Sequence, residues 1–495
     1  MSAEHVEARP GSYADSVTLM RVSADVRQAD GVQAALIAMA TELNRDLLLA
    51  MGFRPPTNAQ ADHLLIALRA TDEAALAGAL AAVDSALAAR PAGGPGSAQV
   101  VPPRTTASAV RTSGPGLALI SVPGRYAFGE AMDALDAGCD VMIFSDNVPV
   151  EQEVTLKDIA AQRNLIVMGP DCGTAIVGGI GLGFSHALAA GPVGLVAASG
   201  TGAQQVLCLL DHAGVGISAA LGVGGRDLSA AVGGRSARAA LAELNADPGT
   251  ELIIVVSKPP AAEVATRLRE FAAGLATPVR FALVAPGEPD LTAVTEAALR
   301  GLGRSVPPWP RWPGPDGAGR AGALRGLFAG GTLCDEAMVI ATERLGPIRS
   351  NVPLRPELRV SPRTLPDPAT AARHVMIDFG DDELTAGRAH PMIDQSLRLA
   401  RLAAEAADPD VSVLLLDVVL GHGAHPDPAA ELGPAIAAAR ASGGVAVVVS
   451  LIGAASDPQD PDRQAAVLQA AGAHVFASNA AATRFACDLI DDADD

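Results

Sequence analysis

From residue 116 onward, short runs of Val, Ile, Leu and Ala alternate with helix-length segments, and that rhythm leaves few architectures open. The runs are GLALISV, DVMIFSD, LIVMG, VGLVAAS, ISAALGVG, ELIIVVS and RFALVAP, then HVMIDFG, VSVLLLDVV, VAVVVSL and HVFAS after residue 372. Strands that are apolar throughout are buried on both faces, and helices between them imply parallel sheets covered on each side. The expected fold class is α/β, with several doubly wound parallel-sheet domains: two units in 116–300 and one in 372–490.

Ahead of this region, SVTLMRVS, VQAALIAMA and DHLLIALRA predict three strands. TELNRDLLLAMG and TDEAALAGALAAVDSALAAR predict two helices. Together they form a small α+β module over residues 1–92. Pro, Gly, Ser and Thr dominate 93–115, a linker; LGRSVPPWPRWPGPDGAGR at 302–320 reads as a second, and ELRVSPRTLPDPATA at 357–371 as a third break. The expected domains are therefore 1–92, 116–190, 191–301 and 372–495, with 302–371 a Pro-rich linker and short module.

At 495 residues the chain is too long for one hydrophobic core. Aromatics are only 3% of it while 49% is hydrophobic, so small aliphatic residues build the layers. A net charge of −19 argues against nucleic acid and anionic membrane surfaces as partners. No apolar run reaches membrane-spanning length. The five cysteines (Cys139, Cys172, Cys208, Cys334 and Cys487) never fall in a C-x-x-C spacing, which suits free thiols in a reducing compartment. MSAEHVEARPGSYADS lacks the charge-then-apolar order of a signal peptide, so the expected location is the cytoplasm.

In doubly wound sheets, ligands collect beyond the carboxyl ends of strands. GPVGLVAA runs straight into Ser199, Gly200, Thr201 and Gly202, and AQQVLCLLDHAG follows with helical spacing. Successive N–H groups, a helix N-terminus and two hydroxyls have the chemistry to hold phosphate, and glycine lets the backbone approach it. An N-cap serine followed by packing glycines accounts for the same residues. A second turn, GHGAHPDPAAEL, repeats the logic with Gly421, His422 and Gly423, and adds His425. A histidine there suits acid–base chemistry near neutral pH, or is a solvated bystander.

GVGGRDLSAAVGG places Arg226 after a strand, as a ligand-closing residue or part of a plain loop. GRAHPMID brings Arg388, His390 and Asp394 to one loop, where Arg388 suits a substrate carboxylate; a surface turn is the alternative. Cys172 in MGPDCGTAI has no basic neighbour and reads as structural. There is no G-x-x-x-x-G-K-[ST] loop, no G-x-G-x-x-G after a first strand and no His/Cys cluster with zinc spacing, so no metal is expected.

These segments carry a resemblance. GLALISVPGRYAFGEAMDALDAGCDVMIFSDNVP, LIVMGPDCGTAI, GPVGLVAASGTG and GVGISAALGVGGRDLS resemble the α subunit of succinyl-CoA synthetase. FGDDELTAGRAHPMID and LLLDVVLGHGAHPDPA look like the carboxyl-terminal ligase domain of its β subunit. With GGTLCDEAM and SNVPL added, about residues 15–490 are similar to the FdrA-like proteins. The resemblance implies a Rossmann-like CoA-binding-type domain at 116–190 and flavodoxin-like ligase domains at 191–301 and 372–495. It also implies two helices aiming their N-termini at one phosphate, with Ser199, Gly200 and Thr201 on the first and Gly421, His422 and Gly423 on the second. Asn351 of SNVPL and Arg226 become substrate contacts, and His425, His390 and Arg388 the catalytic candidates.

The departures from the synthetase shape the expected function. No histidine lies between His212 and His374, where the synthetase carries its phosphorylated one. Counterparts of the ATP-grasp domain and of the first CoA-binding strand are missing too. The resemblance then implies a subunit of an acyl- or carbamoyl-phosphate-forming transferase, of the kind that converts oxalurate and phosphate to oxamate and carbamoyl phosphate in allantoin breakdown. Phosphate is the co-substrate, no other cofactor is assigned, and CoA is the less expected addition. A small anionic substrate and further subunits, or copies of the chain, are the expected partners. The alternatives are a subunit of an NDP-forming acyl-CoA synthetase and a non-catalytic ligand-binding relative.

Overall fold

The computed structural model describes residues 3–12, 14, 16–56, 58–88, 103, 105–315, 322–362, 373–385 and 388–494. The chain divides into two compact units, Met1–Ala109 with Thr385–Ala389, and Val110–Leu384 with His390–Asp495. Among the described residues the strands form four sheets, and no helix is long and apolar enough to cross a membrane.

The smaller unit carries an antiparallel sheet ordered Ala3–Arg9, Leu64–Ala70, Val32–Met39. SVTLMRVS, expected as a strand, lies in the helix Ser16–Arg27. Leu19, Val22 and Val26 are its buried residues, a spacing that a helix gathers on one face and a strand splits between two. The outer strand is instead Ala3–Arg9, whose AEHVEAR is too polar to announce itself.

The larger unit opens with three parallel strands, Leu117–Ile120, Asp140–Ile143 and Val167–Met168. A six-stranded sheet follows in the order Val279–Leu283, Leu252–Ser257, Ala190–Ala198, Ile217–Gly222, Thr174–Val177, Ile180–Gly183. The first four are mutually parallel, and the last two form an antiparallel hairpin on the edge. The seven-stranded sheet runs Arg311–Trp312, Ala473–Phe476, Ala446–Ile452, Val411–Val419, Ala323–Phe328, His374–Asp378, Ile348–Ser350, parallel except for its first strand.

Two domain limits differ from the expected ones. The hairpin at 174–183 belongs to the six-stranded sheet, so the change of sheet comes after Val167–Met168 and not at 190. Residues 302–371 are not mainly linker: Ala323–Phe328 sits inside the seven-stranded sheet, followed by the helix Gly331–Leu345 and the strand Ile348–Ser350. The 93–115 linker includes the helix Thr106–Ser113, while its residues 93–102 and 104 lie outside the described residues, as do 316–321 and 363–372.

One core joins the two large sheets. Val206, Leu207 and Leu210 of the helix Gly200–His212 pack in the same cluster as Leu333, Ala337 and Met338 of Gly331–Leu345. Leu195 and Ile254 come from one sheet, Leu324, Phe328 and Leu415 from the other. A helix buried all round must be apolar all round, and GTGAQQVLCLL meets that demand except at its two glutamines. Gln205 is buried and satisfied across the interface: Nε2 donates to Ala477 O at 3.0 Å, and Oε1 accepts from Asn479 N at 2.8 Å. The two helices are linked through Asn479, whose Nδ2 donates to Leu333 O at 3.0 Å.

Candidate functional site

Both of those helices begin at the carboxyl end of a central strand, and their first turns meet. Ser199 is the N-cap of the Gly200 helix; its Oγ accepts from Gly202 N at 3.0 Å and donates to Thr332 Oγ1 at 2.7 Å. A Cβ built on Gly330 would lie 2.7 Å from Thr201 Oγ1, and one on Gly202 would lie 2.9 Å from Thr332 Cγ2. Glycine at these two positions lets the helix entrances come together. The amides of Gly200, Thr201, Gly331 and Thr332 fall in first turns, where a helix offers no acceptor of its own. Gly200, Thr201 and Gly331 form the accessible rim, while Ser199 and Gly202 are buried beneath it.

The Gly331 entrance is anchored from below. Asp417 Oδ1 accepts from Ala329 N at 2.7 Å and Oδ2 from Gly330 N at 2.8 Å, while Arg398 Nη1 donates to Oδ1 at 2.7 Å. Burial pushes the Asp417 carboxyl up, and the Arg398 guanidinium only partly offsets this.

Around the rim lie Lys258, at the end of the Leu252–Ser257 strand, and several carboxylates. Desolvation draws the Lys258 ammonium down, but Asp335, Asp378, Asp171 and Asp381 outweigh it and hold it above its ordinary value. Asp335 and Asp378 are 8% and 5% exposed. Burial pushes their carboxyls up, to about 6 for Asp335 and about 7 for Asp378, although Lys258 pulls both down. A recess beside Ser199 and Gly200 is lined by Asp171, Cys172, Thr174, Gly222 and Gly224. Burial pushes the Cys172 thiol there up to about 12, so it stays protonated.

The second turn named from sequence is not the partner of the first. Gly421 N already donates to Gln459 Oε1 at 3.0 Å, and His422 N donates to Ser185 O at 2.7 Å. The next helix begins only at Pro428, so Gly421, His422 and Gly423 present no helix N-terminus. Gly421 is packed instead on His186, whose Nδ1 is 2.6 Å from Asp457 Oδ2 in a fully buried pair. His425 is buried in the same loop: Nδ1 accepts from Asp427 N at 3.0 Å, and Nε2 is 3.4 Å from Glu431 Oε1.

Other candidates are also engaged. Arg226 Nη2 donates to Val148 O at 2.7 Å and pairs with Glu153 Oε2 at 2.9 Å. Asn351 is buried and brackets the Asp378 backbone, donating to Asp378 O and accepting from Asp378 N, each at 2.9 Å. It positions Asp378. Arg388 is exposed on Thr385–Ala389, the strip grouped with the smaller unit. His390 does come close: a Cβ built on Gly380 would lie 2.8 Å from its Nε2 and 3.1 Å from Asp378 Oδ1. Its Nδ1 accepts from Met392 N at 3.2 Å, and burial, aided by Arg398, pushes it down to about 4, so it is neutral at pH 7. Sequence reasoning missed Lys258, Asp335 and Asp378; for Lys258 and Asp378 the available signal was a polar residue at the end of an apolar strand, and Asp335, inside a helix, had none.

Replacing Ser199 with Ala is expected to lower stability by about 1–2 kcal/mol, the usual loss for a helix cap. Thr332 Oγ1 loses its donor in the same change. Urea unfolding followed by circular dichroism measures this, and an unchanged midpoint would contradict the capping role.

A CoA-ligase family model matches residues 327–489, beginning within the Ala323–Phe328 strand that leads to the Gly331 helix. Residues 1–102 match a model described as AllF, heavy metal-associated domain. The larger, α/β unit thus carries a region of CoA-ligase type. The protein YahF of Escherichia coli (strain K12), described as uncharacterised, is 36% identical over 95% of this chain and 95% of its own, and the chain belongs to the same family. The succinate–CoA ligase [ADP-forming] α subunit of Aquifex aeolicus is 31% identical over 31% of this chain, which spans about half (51%) of that subunit. The dinucleotide-forming acetyl-coenzyme A synthetase 1 of Ca. Korarchaeum cryptofilum, solved with phosphate and ADP, aligns at 15% identity with a TM-score of 0.26, covering 76% of this chain and 84% of that one.

The metal in the AllF-domain description does not fit this chain. Residues 1–102 contain no cysteine and two histidines, His5 and His63. His5 pairs with Glu7 at 3.3 Å. Among the described residues no group of three His, Cys, Asp or Glu is placed to hold a metal ion.

Proposed function

We propose that this chain is an acyl-transfer subunit of the CoA-ligase type, holding the oxyanion of phosphate or of an acyl phosphate on the rim of Gly200, Thr201 and Gly331. The observation that carries the proposal is the 2.7 Å hydroxyl contact between Ser199 and Thr332, which joins helix N-termini from two different sheets. Two positive helix ends over one spot stabilise negative charge more than either alone, and also charge that develops during acyl transfer. The CoA-ligase match and the likeness to a succinate–CoA ligase α subunit support acyl-CoA formation, with nucleotide handling on a partner chain. A second reading, carbamoyl transfer to phosphate, uses the same rim and follows from the FdrA-like resemblance of the whole sequence.

Turnover separates the two readings. The chain, with whatever subunits co-purify, is supplied either with ATP, CoA and short carboxylates, or with phosphate and ureido acids. ADP release with acyl-CoA formation supports the first, carbamoyl phosphate the second. The shared oxyanion site has its own test in sulfate binding, because sulfate keeps its charge across the range. Asp378, whose Oδ2 lies beside Gly331, must be protonated to tolerate an anion there, so affinity should fall as pH rises through about 7. A loss of about tenfold between pH 6 and pH 8 is expected from one coupled proton. Calorimetry that detects neither sulfate nor phosphate binding at any pH would refute the oxyanion site.

A further inference from the structure

Lys258 belongs to none of the sequence motifs, yet it stands where the two helix entrances meet. A Cβ built on Gly331 would lie 3.6 Å from Lys258 Nζ and 2.7 Å from Asp378 Oδ2, so ammonium and carboxyl flank one bare glycine. The Lys258 side chain is exposed and takes part in none of the ion pairs or side-chain hydrogen bonds among the described residues. Asp335, the fifth residue of the Gly331 helix, is 8% exposed; its carboxyl likewise has no hydrogen-bond partner among the described residues and lies in the field of Lys258. Asp378 is tied on one side only, its Oδ1 accepting from Gly380 N at 2.8 Å.

A buried carboxyl without a donor and a cation without a close acceptor, on either side of two helix N-termini, form a site poised for a ligand. Asp171, Asp335, Asp378 and Asp381 all face Lys258, so its charge is oriented without being locked into one pair.

We infer that Lys258 binds the ligand's oxyanion over Gly331, opposite the amides of Gly200 and Thr201, and that the ligand is a compact oxyanion such as phosphate or the phosphate of an acyl phosphate. The inference rests on the oxyanion reading proposed above and adds the residue that supplies the positive charge. Glycine at 331 lets Lys258 Nζ and Asp378 Oδ2 stand over the helix entrance, since a Cβ there would lie 2.7 Å from that oxygen. Selectivity follows from size and charge: a bulky or neutral ligand meets the carboxyls without satisfying the ammonium.

The experiment is calorimetric titration of the full chain with sulfate and with phosphate at pH 6.5, comparing wild type, Lys258→Met, Lys258→Arg and Thr201→Gly. Lys258→Met should weaken both ions by about ten- to a hundredfold, the usual loss of a hydrogen bond to a charged group. Lys258→Arg should stay within a few fold of wild type. Because the side chain is exposed, all variants should melt near the wild-type temperature, and Lys258→Arg serves as the control if Lys258→Met does not. Wild-type binding retained in Lys258→Met, or lost equally in Lys258→Arg, would overturn the role of Lys258 while leaving the helix entrances as the site. Absence of binding in wild type would overturn the oxyanion reading itself, and this inference with it.

Discussion

Replacing Asp417 with Ala is expected to destabilise the larger unit by about 3–5 kcal/mol, the loss seen when one partner of a buried ion pair is removed. The Arg398 guanidinium, 2% exposed, would lose its only ion-pair partner among the described residues, keeping Gln395 Oε1 at 2.6 Å and Asp417 O at 2.7 Å. The amides of Ala329 and Gly330 would lose their acceptor as well, and with it the Gly331 helix its fixed entry. Urea unfolding measures the loss. Adding Arg398→Met to Asp417→Leu should recover much of it, because a well-packed apolar pair often matches a buried ionic one. A single Asp417→Ala variant that unfolds at the wild-type midpoint would contradict the anchoring role.

Lys157→Met should have an effect of similar size for a related reason. Lys157 Nζ donates to Glu153 Oε1 and Asp227 Oδ1, each at 2.8 Å, and to Val223 O at 3.0 Å. The three charged side chains are at most 1% exposed. Asp227 in turn accepts from Ser236 N at 3.1 Å and Ala237 N at 2.9 Å, holding the start of the helix Arg235–Ala246. Removing the cation leaves two buried carboxylates with Arg226 as their remaining counter-charge, so a loss of about 3–5 kcal/mol is expected. Hydrogen exchange should show the Arg235 helix opening more often in the variant, and protection equal to wild type would argue against the network. The same cluster engages Arg226, whose Nη2 pairs with Glu153 Oε2 at 2.9 Å.

Much of the fold was legible because each large sheet is built from strands buried on both faces, and such strands cannot avoid being apolar runs. The exceptions are instructive. Ala323–Phe328 carries Arg325 in its middle and was not recognised. Its charge is neutralised by Glu405, at 2.9 Å from a helix about eighty residues downstream, a partner that no local pattern shows. With that strand hidden, the Gly331 helix after it was hidden too, and the glycine turn at 421 took its place.

By itself the sequence determined the chemistry of one turn. The run from Ser199 to Gly202 joins a strand to a helix with a cap, a hydroxyl and two glycines, and those properties are local. Which second turn faces it was decided only by the tertiary structure. Gly421 and Gly330 both follow apolar strands, but Gln459 and Ser185 consume the amides at the first, whereas the second is the start of a helix. The same holds for Lys258, Asp335 and Asp378, far apart in the chain and each unremarkable alone. They meet because the helices Gly200–His212 and Gly331–Leu345 share one core between two sheets, and a shared core sets where the helix ends lie.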